Sequence, residues 1–283
     1  MYLRRIGWLA GVCCLVSCFD LQSKKGHYLV RNVGEATDLR VMTFNILSTL
    51  DLVALTDGYA TWGERKRFVF EMIESQDPDL VSIQEASSVQ FQAFRDHFSD
   101  HYKFAHNMAL TTDAFIMYKK SRFTPIERGF WALEPAWQVH KIRRIAVWVK
   151  LREKDSLREL MLVGAHADAK TIKEKEIQDI KNRLLPQQAS GAPLILAGDF
   201  NLASDSSYYG LLIGSGWKDT YTGDLALEVP TYPAKKPTRR IDHIVYFGED
   251  VHPLSWEAPV SSGMLPSDHK PVVVNLHIDK AST

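Results

Sequence analysis

The sequence has little cysteine, and all of it is confined to one end. The three cysteines of the 283-residue chain, Cys13, Cys14 and Cys18, lie in its first 18 residues. The rest of the chain can therefore form neither an internal disulfide nor a cysteine-ligated zinc site. A domain beyond Cys18 must be stabilised by its core, and a hydrophobic content of 45% is typical of a globular protein.

The chain also lacks a net charge, with 34 basic and 34 acidic residues. Without residues 1–17, which contain Arg4, Arg5 and no acid, the balance becomes 32 basic against 34 acidic residues. A protein that binds long nucleic acids regardless of sequence normally carries a basic excess. The composition excludes such an excess in bulk and leaves only a local basic patch open.

No linker rich in Pro, Gly or Ser interrupts the apolar runs and turn signals beyond the N-terminus, so we expect one domain over 38–279. Before it, Arg4 and Arg5 precede a short apolar run and Leu15-Val-Ser-Cys18, which resembles a bacterial lipobox. This pattern predicts a lipoprotein-type signal peptide over 1–17, Cys18 as the lipidated first mature residue, and a flexible tether over 18–37. The alternatives are an ordinary signal peptide and a membrane-associated N-terminal helix.

The expected location follows from this segment. A lipidated Cys18 predicts an exported lipoprotein anchored to a membrane of the bacterial cell envelope, and an ordinary signal peptide predicts a periplasmic or secreted protein. We expect a monomer in either case.

The remaining chain alternates strand and helix patterns. Apolar or alternating runs predict strands at 39–46, 80–84, 114–118, 146–151, 160–164, 193–197, 244–247 and 272–276. Helical spacing of apolar residues predicts helices at 64–75, 88–98 and 171–188. This order favours an α/β domain with two or more sheet layers and helices outside.

Polar residues recur where the predicted strands end or begin. Asn45, Glu85, His166 and Asp199 follow strands, whereas Asp242 and the triplet Ser267-Asp-His269 precede strands. Strand ends can bring residues distant in sequence into one site. Each residue alone has a simpler interpretation, such as a solvated acid or a turn residue. Their recurrence favours a shared site.

These residues carry a resemblance. Thr43-Phe-Asn45, Gln84-Glu85, Gly198-Asp-Phe-Asn201, Arg240-Ile-Asp242 and Ser267-Asp-His269 resemble, in this order, the motifs of the endonuclease/exonuclease/phosphatase family. The resemblance implies a deoxyribonuclease I-like four-layer α/β/β/α sandwich with two packed mixed β-sheets. It also implies a phosphoric ester hydrolase, in particular a phosphodiesterase or nuclease that depends on a divalent metal.

The resemblance assigns a metal side and a water side to the site. It implies that Glu85 is the principal metal ligand and that Asp268 completes the metal side. Asn45 would lie beside Glu85, either as a metal ligand itself or as an amide that orients a ligand. Such oxygen ligands suit Mg²⁺, with Mn²⁺ or Ca²⁺ as alternatives. Asp199 would orient or deprotonate the attacking water, and Asn201 would donate to a phosphoryl oxygen.

Two histidines would handle protons. The resemblance implies that His269 contacts the phosphate with Asp242 fixing its tautomer, and that His166 assists the leaving group. Arg144 is expected to reach a substrate phosphate, although it could instead be a rim arginine in an ion pair.

The substrate stays open among nucleic acid, a phospholipid head group and a small phosphodiester. Export and His166 disfavour repair of abasic DNA, and the sequence around Arg240 disfavours an inositol-phosphate 5-phosphatase. A different class of function is also possible, namely a surface-anchored binding lipoprotein that keeps the fold without catalysis.

Overall fold

The computed structural model describes residues 28–49, 57–106, 113–133, 144–169 and 173–282. The predicted signal peptide, Cys18 and the first part of the predicted tether lie outside these ranges. No helix among the described residues is both long enough and apolar enough to cross a membrane.

Within the described ranges the chain forms twelve strands. The first six are β1 (Thr37–Asn45), β2 (Leu80–Gln84), β3 (Tyr102–His106), β4 (Ala114–Lys119), β5 (Phe123–Ala132) and β6 (Ile145–Glu153). The others are β7 (Glu159–His166), β8 (Leu194–Asp199), β9 (Trp217–Asp219), β10 (Asp242–Phe247), β11 (Val251–Glu257) and β12 (Val272–Ile278). They form two mixed sheets, sheet A in the order β11-β12-β1-β2-β4-β3 and sheet B in the order β5-β6-β7-β8-β10-β9.

Helices cover the outer faces of the two sheets. The described helices are α1 (Trp62–Gln76), α2 (Ser88–Phe98), α3 (Lys173–Gln188) and α4 (Tyr209–Ile213), with a 3₁₀ turn at Leu225–Leu227. One core lies between the sheets, a second joins sheet A to α1 and α2, and a third joins sheet B to α3 and α4. The expected four-layer α/β/β/α sandwich is therefore confirmed.

Local sequence signals explain how α2 begins. The Ser87 hydroxyl accepts a hydrogen bond from the Gln90 backbone at 3.3 Å, and the Gln90 side chain accepts one from the Ser87 backbone at 2.9 Å. This reciprocal capping box satisfies two backbone donors that the first helical turn leaves without a partner. Gln90 also donates to the Leu47 carbonyl at 2.9 Å, so the start of α2 supports the loop that follows β1.

Each sheet contains one parallel pair, and these two pairs place the polar strand ends. In sheet A, β1 and β2 run parallel, with Asn45 opposite Gln84. In sheet B, β7 and β8 run parallel with His166 opposite Asp199, and Asp199 in turn lies opposite Asp242 of β10. The sheets approach closely near this edge, where the Ser82 hydroxyl donates to the Ala197 carbonyl at 3.0 Å.

The predicted tether extends too far along the chain. Val30 is fully buried, its backbone N–H donates to Gln187 at 3.0 Å, and Tyr28 donates to Glu159 at 3.0 Å. Residues 28–36 therefore pack against the domain, and Thr37 already belongs to β1. The tether interpretation of 28–37 was wrong because a polar segment can be held by side chains that are distant in sequence.

Candidate active site

The polar strand ends of both sheets meet around the Asn45 side chain. Its Nδ2 donates to Glu85 Oε1 and to Asp199 Oδ2, both at 3.0 Å, and lies 3.5 Å from His269 Nε2. Its Oδ1 accepts from the Leu47 backbone N–H at 3.1 Å. Asn45 is fully buried and both ends of its amide are used. This geometry favours the orienting role over the ligand role, because the amide joins an acid from each sheet.

Glu85 and Asp268 form an oxygen-rich side of the site. Glu85 Oε2 accepts from the Ser48 backbone at 3.1 Å, and Glu85 itself has a left-handed backbone with φ of 62°. Such a conformation is uncommon for glutamate and occurs often at functional sites. Burial, together with the negative charge of Glu85, raises the pKa of Asp268 to about 6. Two acids that disfavour each other's charge would both be stabilised by a bound cation.

Arg65 of α1 fastens the two loops that carry these acids. Its guanidinium is 1% exposed and donates to the carbonyls of Ile46 and Leu47 on one side and of Pro266 on the other, the last at 3.0 Å. The first loop follows Asn45 and the second leads into Asp268. One buried side chain thus fixes the separation of two segments, at Ile46 and at Pro266, that are 220 residues apart in the chain.

Asp199 lies at the junction of the metal side and the proton-handling side. Only 1% of it is exposed, its Oδ1 accepts from the Asn201 backbone at 2.8 Å, and its Oδ2 faces both His166 Nε2 at 3.7 Å and His269 Nε2 at 3.6 Å. The Asn201 side chain donates one N–H to the Ala167 carbonyl at 3.0 Å. An amide nitrogen has two hydrogens, so one remains for a substrate oxygen.

His269 and Asp242 form a buried dyad. His269 Nδ1 lies 2.9 Å from Asp242 Oδ2 and 3.2 Å from Oδ1, and the Thr231 hydroxyl donates to the same carboxylate at 2.6 Å. Burial alone would lower the pKa of His269, but Asp242 and Asp199 outweigh it and raise this pKa to about 10. The carboxylate fixes Nδ1–H and leaves Nε2 facing the site.

His166 is held by a second carboxylate that the sequence reasoning missed. Its Nδ1 lies 3.3 Å from Asp113 Oδ1 and 2.8 Å from Arg144 Nη1, while Arg144 donates to Asp113 Oδ2 at 2.9 Å. Burial and Arg144 lower the pKa of His166, yet Asp113 and Asp199 together produce a net rise. Asp113 directly precedes β4, as Asp242 begins β10, and this position was the available signal. Arg144 forms the ion pair considered for it, but beside His166 rather than at a remote rim.

An aromatic layer beside the dyad was also missed. The Tyr232 ring packs on the His269 ring with centroids 4.6 Å apart, and the Arg239 guanidinium lies over the Tyr232 ring at 5.3 Å. Burial raises the pKa of Tyr232, as do the charges of Asp268 and Asp199. Tyr232 lies in the sequence Pro230-Thr-Tyr-Pro233, which by itself assigns no role to the tyrosine.

The site has groups that could hold a metal ion. Atoms of Asp199, Asp242 and His269 lie within 4.8 Å of one another. Asp242 already contacts His269 and Thr231, so Glu85 and Asp268 on the other side remain the candidate ligands predicted from the sequence. That donor set of carboxylate oxygens fits a hard divalent cation.

Comparison with known proteins assigns the family. A sequence profile of the endonuclease/exonuclease/phosphatase family matches residues 42–269, and the chain belongs to this family. Carbon catabolite repressor protein 4 homolog 3 of Arabidopsis thaliana is 26% identical over 168 residues, which cover 56% of this chain and 37% of that protein. The chain thus spans little more than a third of this curated relative.

Solved structures confirm the fold. A family member from Bacteroides thetaiotaomicron superimposes with a TM-score of 0.74 at 21% identity, covering 87% of this chain and 99% of that one. The catalytic domain of human nocturnin, solved with a bound sulfate anion, gives a TM-score of 0.68 at 21% identity and covers 86% and 96% of the two chains.

Proposed function

We propose that the protein is an exported, divalent-metal-dependent phosphodiesterase that cleaves a P–O bond with an activated water. One observation carries the proposal. Two buried histidines, each backed by a carboxylate, direct their Nε2 atoms toward the same Asp199 oxygen at 3.7 Å and 3.6 Å. A binding protein has no need for two imidazoles whose outer nitrogens are oriented at such a cost in burial.

The residues divide the reaction between them. Glu85 and Asp268 would hold the ion, Mg²⁺ being the best match to their oxygens, and when bound it supplies neutralisation of phosphoryl charge. Asp199 accepts a proton from the attacking water or orients it. Asn201 donates a hydrogen bond to a phosphoryl oxygen as negative charge develops there. Protonated His269 donates a second hydrogen bond to the same phosphoryl group. His166, as an imidazolium whose charge Asp113 balances, gives its Nε2 proton to the departing oxygen and is left neutral, while Arg144 holds Asp113 in place.

The lining of one cavity favours some of the possible substrate classes over others. A cavity of about 490 Å³ is lined by Ser204, Asp205, Glu228, Thr238, Pro230 and Leu225, and Pro230 directly precedes Thr231, whose hydroxyl donates to Asp242. Hydroxyl and carboxylate groups can bind the hydroxyls of a sugar or nucleoside, whereas they fit an acyl chain poorly. The sulfate found in nocturnin has the shape and charge of a phosphoryl group. We therefore favour a nucleotide-like or sugar-bearing phosphodiester over a phospholipid.

The remaining features of the proposal come from the sequence. Export and anchoring through Cys18 rest on the lipobox resemblance, and a monomer remains the expected state. The deciding experiment is hydrolysis of bis-p-nitrophenyl phosphate, single-stranded nucleic acid and sphingomyelin by the purified domain with Mg²⁺, Mn²⁺ or Ca²⁺. We expect turnover of at least one of the first two, abolished by a chelator and restored by metal.

A matched variant separates catalysis from binding. Asp199→Asn keeps the size of a fully buried side chain and removes its charge, so turnover is expected to fall by about 10²-fold or more while folding is kept. Lack of metal-dependent turnover in the whole panel would contradict the proposal. If cells that carry the Asp199→Asn variant behaved like wild type and unlike cells without the protein, the alternative of a binding lipoprotein would be supported.

A further inference from the structure

A cluster of metal-binding side chains lies on the outside of sheet A, at the end remote from the active site. Asp38 of β1 is opposite His277 of β12, and His277 is opposite His252 of β11. Asp279 follows β12 and lies between the two histidines. The strands thus present Asp38, His277 and His252 in one cross-strand row, a spacing that lets side chains touch, and Asp279 lies next to the two histidines.

The cluster is separate from the catalytic residues. β1 runs from the cluster to Asn45, and β12 runs from just after His269 to the cluster. A strand rises about 3.3 Å per residue, so the seven steps from Asp38 to Asn45 span roughly 23 Å. An ion at one end cannot share ligands with an ion at the other.

The contacts of His277 place both of its ring nitrogens against carboxylates. Its Nδ1 lies 2.6 Å from Asp38 Oδ1, and its Nε2 lies 3.3 Å from Asp279 Oδ1. A neutral imidazole has one N–H and one lone pair. The short contact assigns the N–H to Nδ1, so the Nε2 lone pair faces a carboxylate oxygen that also carries lone pairs. Only a proton or a metal ion between them makes this contact favourable.

His252 supplies the third ligand. Its Nε2 lies 2.7 Å from Asp279 Oδ2, so one carboxylate faces both imidazoles. The carboxylate of Asp38 behind His277 matches the outer-shell acid that commonly orients a metal-binding histidine.

Metal binding requires the two imidazole rings to move toward each other. The two ring centroids are 6.5 Å apart. A tetrahedral ion with metal–nitrogen bonds of about 2.0 Å would hold them roughly 5 Å apart. The His277 and His252 side chains are 37% and 49% exposed, which gives both room to rotate.

We propose that His252, His277 and Asp279 form a second metal site, selective for a borderline transition ion such as Zn²⁺, Ni²⁺ or Cu²⁺, with Asp38 orienting His277. Two imidazole nitrogens favour these ions over Mg²⁺ and Ca²⁺, which take oxygen ligands. The ion joins the edge strand β11 to β12, so binding stabilises this edge of the sandwich.

The test is calorimetric titration of Zn²⁺ into the purified domain near neutral pH, with Glu85→Gln as the background that weakens the active-site ion. We expect one equivalent of Zn²⁺ to bind in that background, with a rise in Tm. His277→Ala and His252→Ala should each weaken this binding at least 10-fold, and Asp38→Asn should weaken it less. His97→Ala removes an exposed histidine that pairs with Glu74 at 2.6 Å, and should change nothing.

Two results would overturn the inference. Zn²⁺ binding that is unchanged by both histidine variants would place the ion elsewhere. Absence of any Zn²⁺ binding in the Glu85→Gln background would show that only a proton bridges the cluster. Asp38→Asn alters an exposed carboxylate and serves as the informative variant if either alanine variant fails to fold.

Discussion

Each of the two histidines of the candidate site is held from behind by a carboxylate, and the proposed mechanism gives the two pairs different roles. Asp242 acts on His269, whose pKa it raises, so Asp242→Asn should reduce kcat by about 10²- to 10⁴-fold with a small change in KM. Steady-state kinetics checks this. Asp179→Asn makes the same chemical change in a partly exposed ion pair of α3, outside the candidate site, and should leave kcat unaltered. A loss in Asp242→Asn confined to KM would contradict the assignment.

Asp113 acts on His166, which the mechanism uses only for the departing oxygen. Asp113→Asn removes the negative charge 3.3 Å from His166 Nδ1 and loosens Arg144. We expect kcat to fall about 10²-fold for an ester with an alkyl leaving group, which needs a proton, and much less for one with p-nitrophenolate, which does not. The measurement is the ratio of the two rates. An equal loss on both substrates would show that Asp113 only supports the fold.

At the scale of elements, the parallel pair β7–β8 depends on a glycine. A Cβ on Gly198 would lie 2.0 Å from the Ala165 carbonyl oxygen, closer than any side chain can approach. Gly198→Ala should therefore push β8 from β7 at the position next to His166 and Asp199, with about 2 to 4 kcal/mol lost from the free energy of unfolding and a marked fall in kcat. Urea denaturation and kinetics measure the two effects.

The control for this change lies in α4. A Cβ on Gly210 would meet nothing within 4 Å, and alanine is the better helix former, so Gly210→Ala should be neutral or stabilising by up to about 1 kcal/mol. If both variants lose the same stability, the close approach of the two strands is not the cause.

The elements differ in how far the sequence predicts them. The central strands were found because they are buried on both faces and read as apolar runs, and the predicted 88–98 helix coincides with α2. β3, β5, β9 and β11 were missed. All four are edge strands, and each pairs with a single neighbouring strand. β5 and β11 are also only partly buried, so their sequences lack a clear apolar period.

The site shows the same limit. Asn45, Glu85, Asp199 and His269 lie in short motifs at strand ends, and the structure brings them together. Arg65 and Asp113 lie in no motif. Their importance comes from what they touch, namely carbonyls of two distant loops and the far side of His166, and a single sequence does not encode such distances directly.

At the scale of the whole molecule, Glu159 holds residues 28–36 against the end of sheet B that lies opposite the candidate active site. This carboxylate has no exposed side-chain surface and accepts from Arg31 at 2.8 Å, Arg152 at 2.6 Å and Tyr28 at 3.0 Å. Burial opposes its charge, but the two arginines outweigh burial and lower the pKa of Glu159 to about 2 from an ordinary value of 4.5. Residues 28–36 are thus held by a group whose charge depends on acidity.

The sign of the pH dependence follows from this. Because the folded pKa lies below the unfolded one, the contribution of Glu159 is complete above pH 4.5 and is lost as the pH falls toward 2. Arg31 and Arg152 are exposed to solvent, which screens their attraction to Glu159. We therefore expect the charge of Glu159 to contribute roughly 1 to 3 kcal/mol to the free energy of unfolding. The difference in unfolding free energy between wild type and Glu159→Gln should shrink across this window, as measured by urea denaturation at several pH values. The control is Glu35→Gln, which removes an exposed ion pair with Lys280 and should show no such trend. If the difference in unfolding free energy between wild type and Glu159→Gln stayed constant with pH, the charge of Glu159 would not hold residues 28–36.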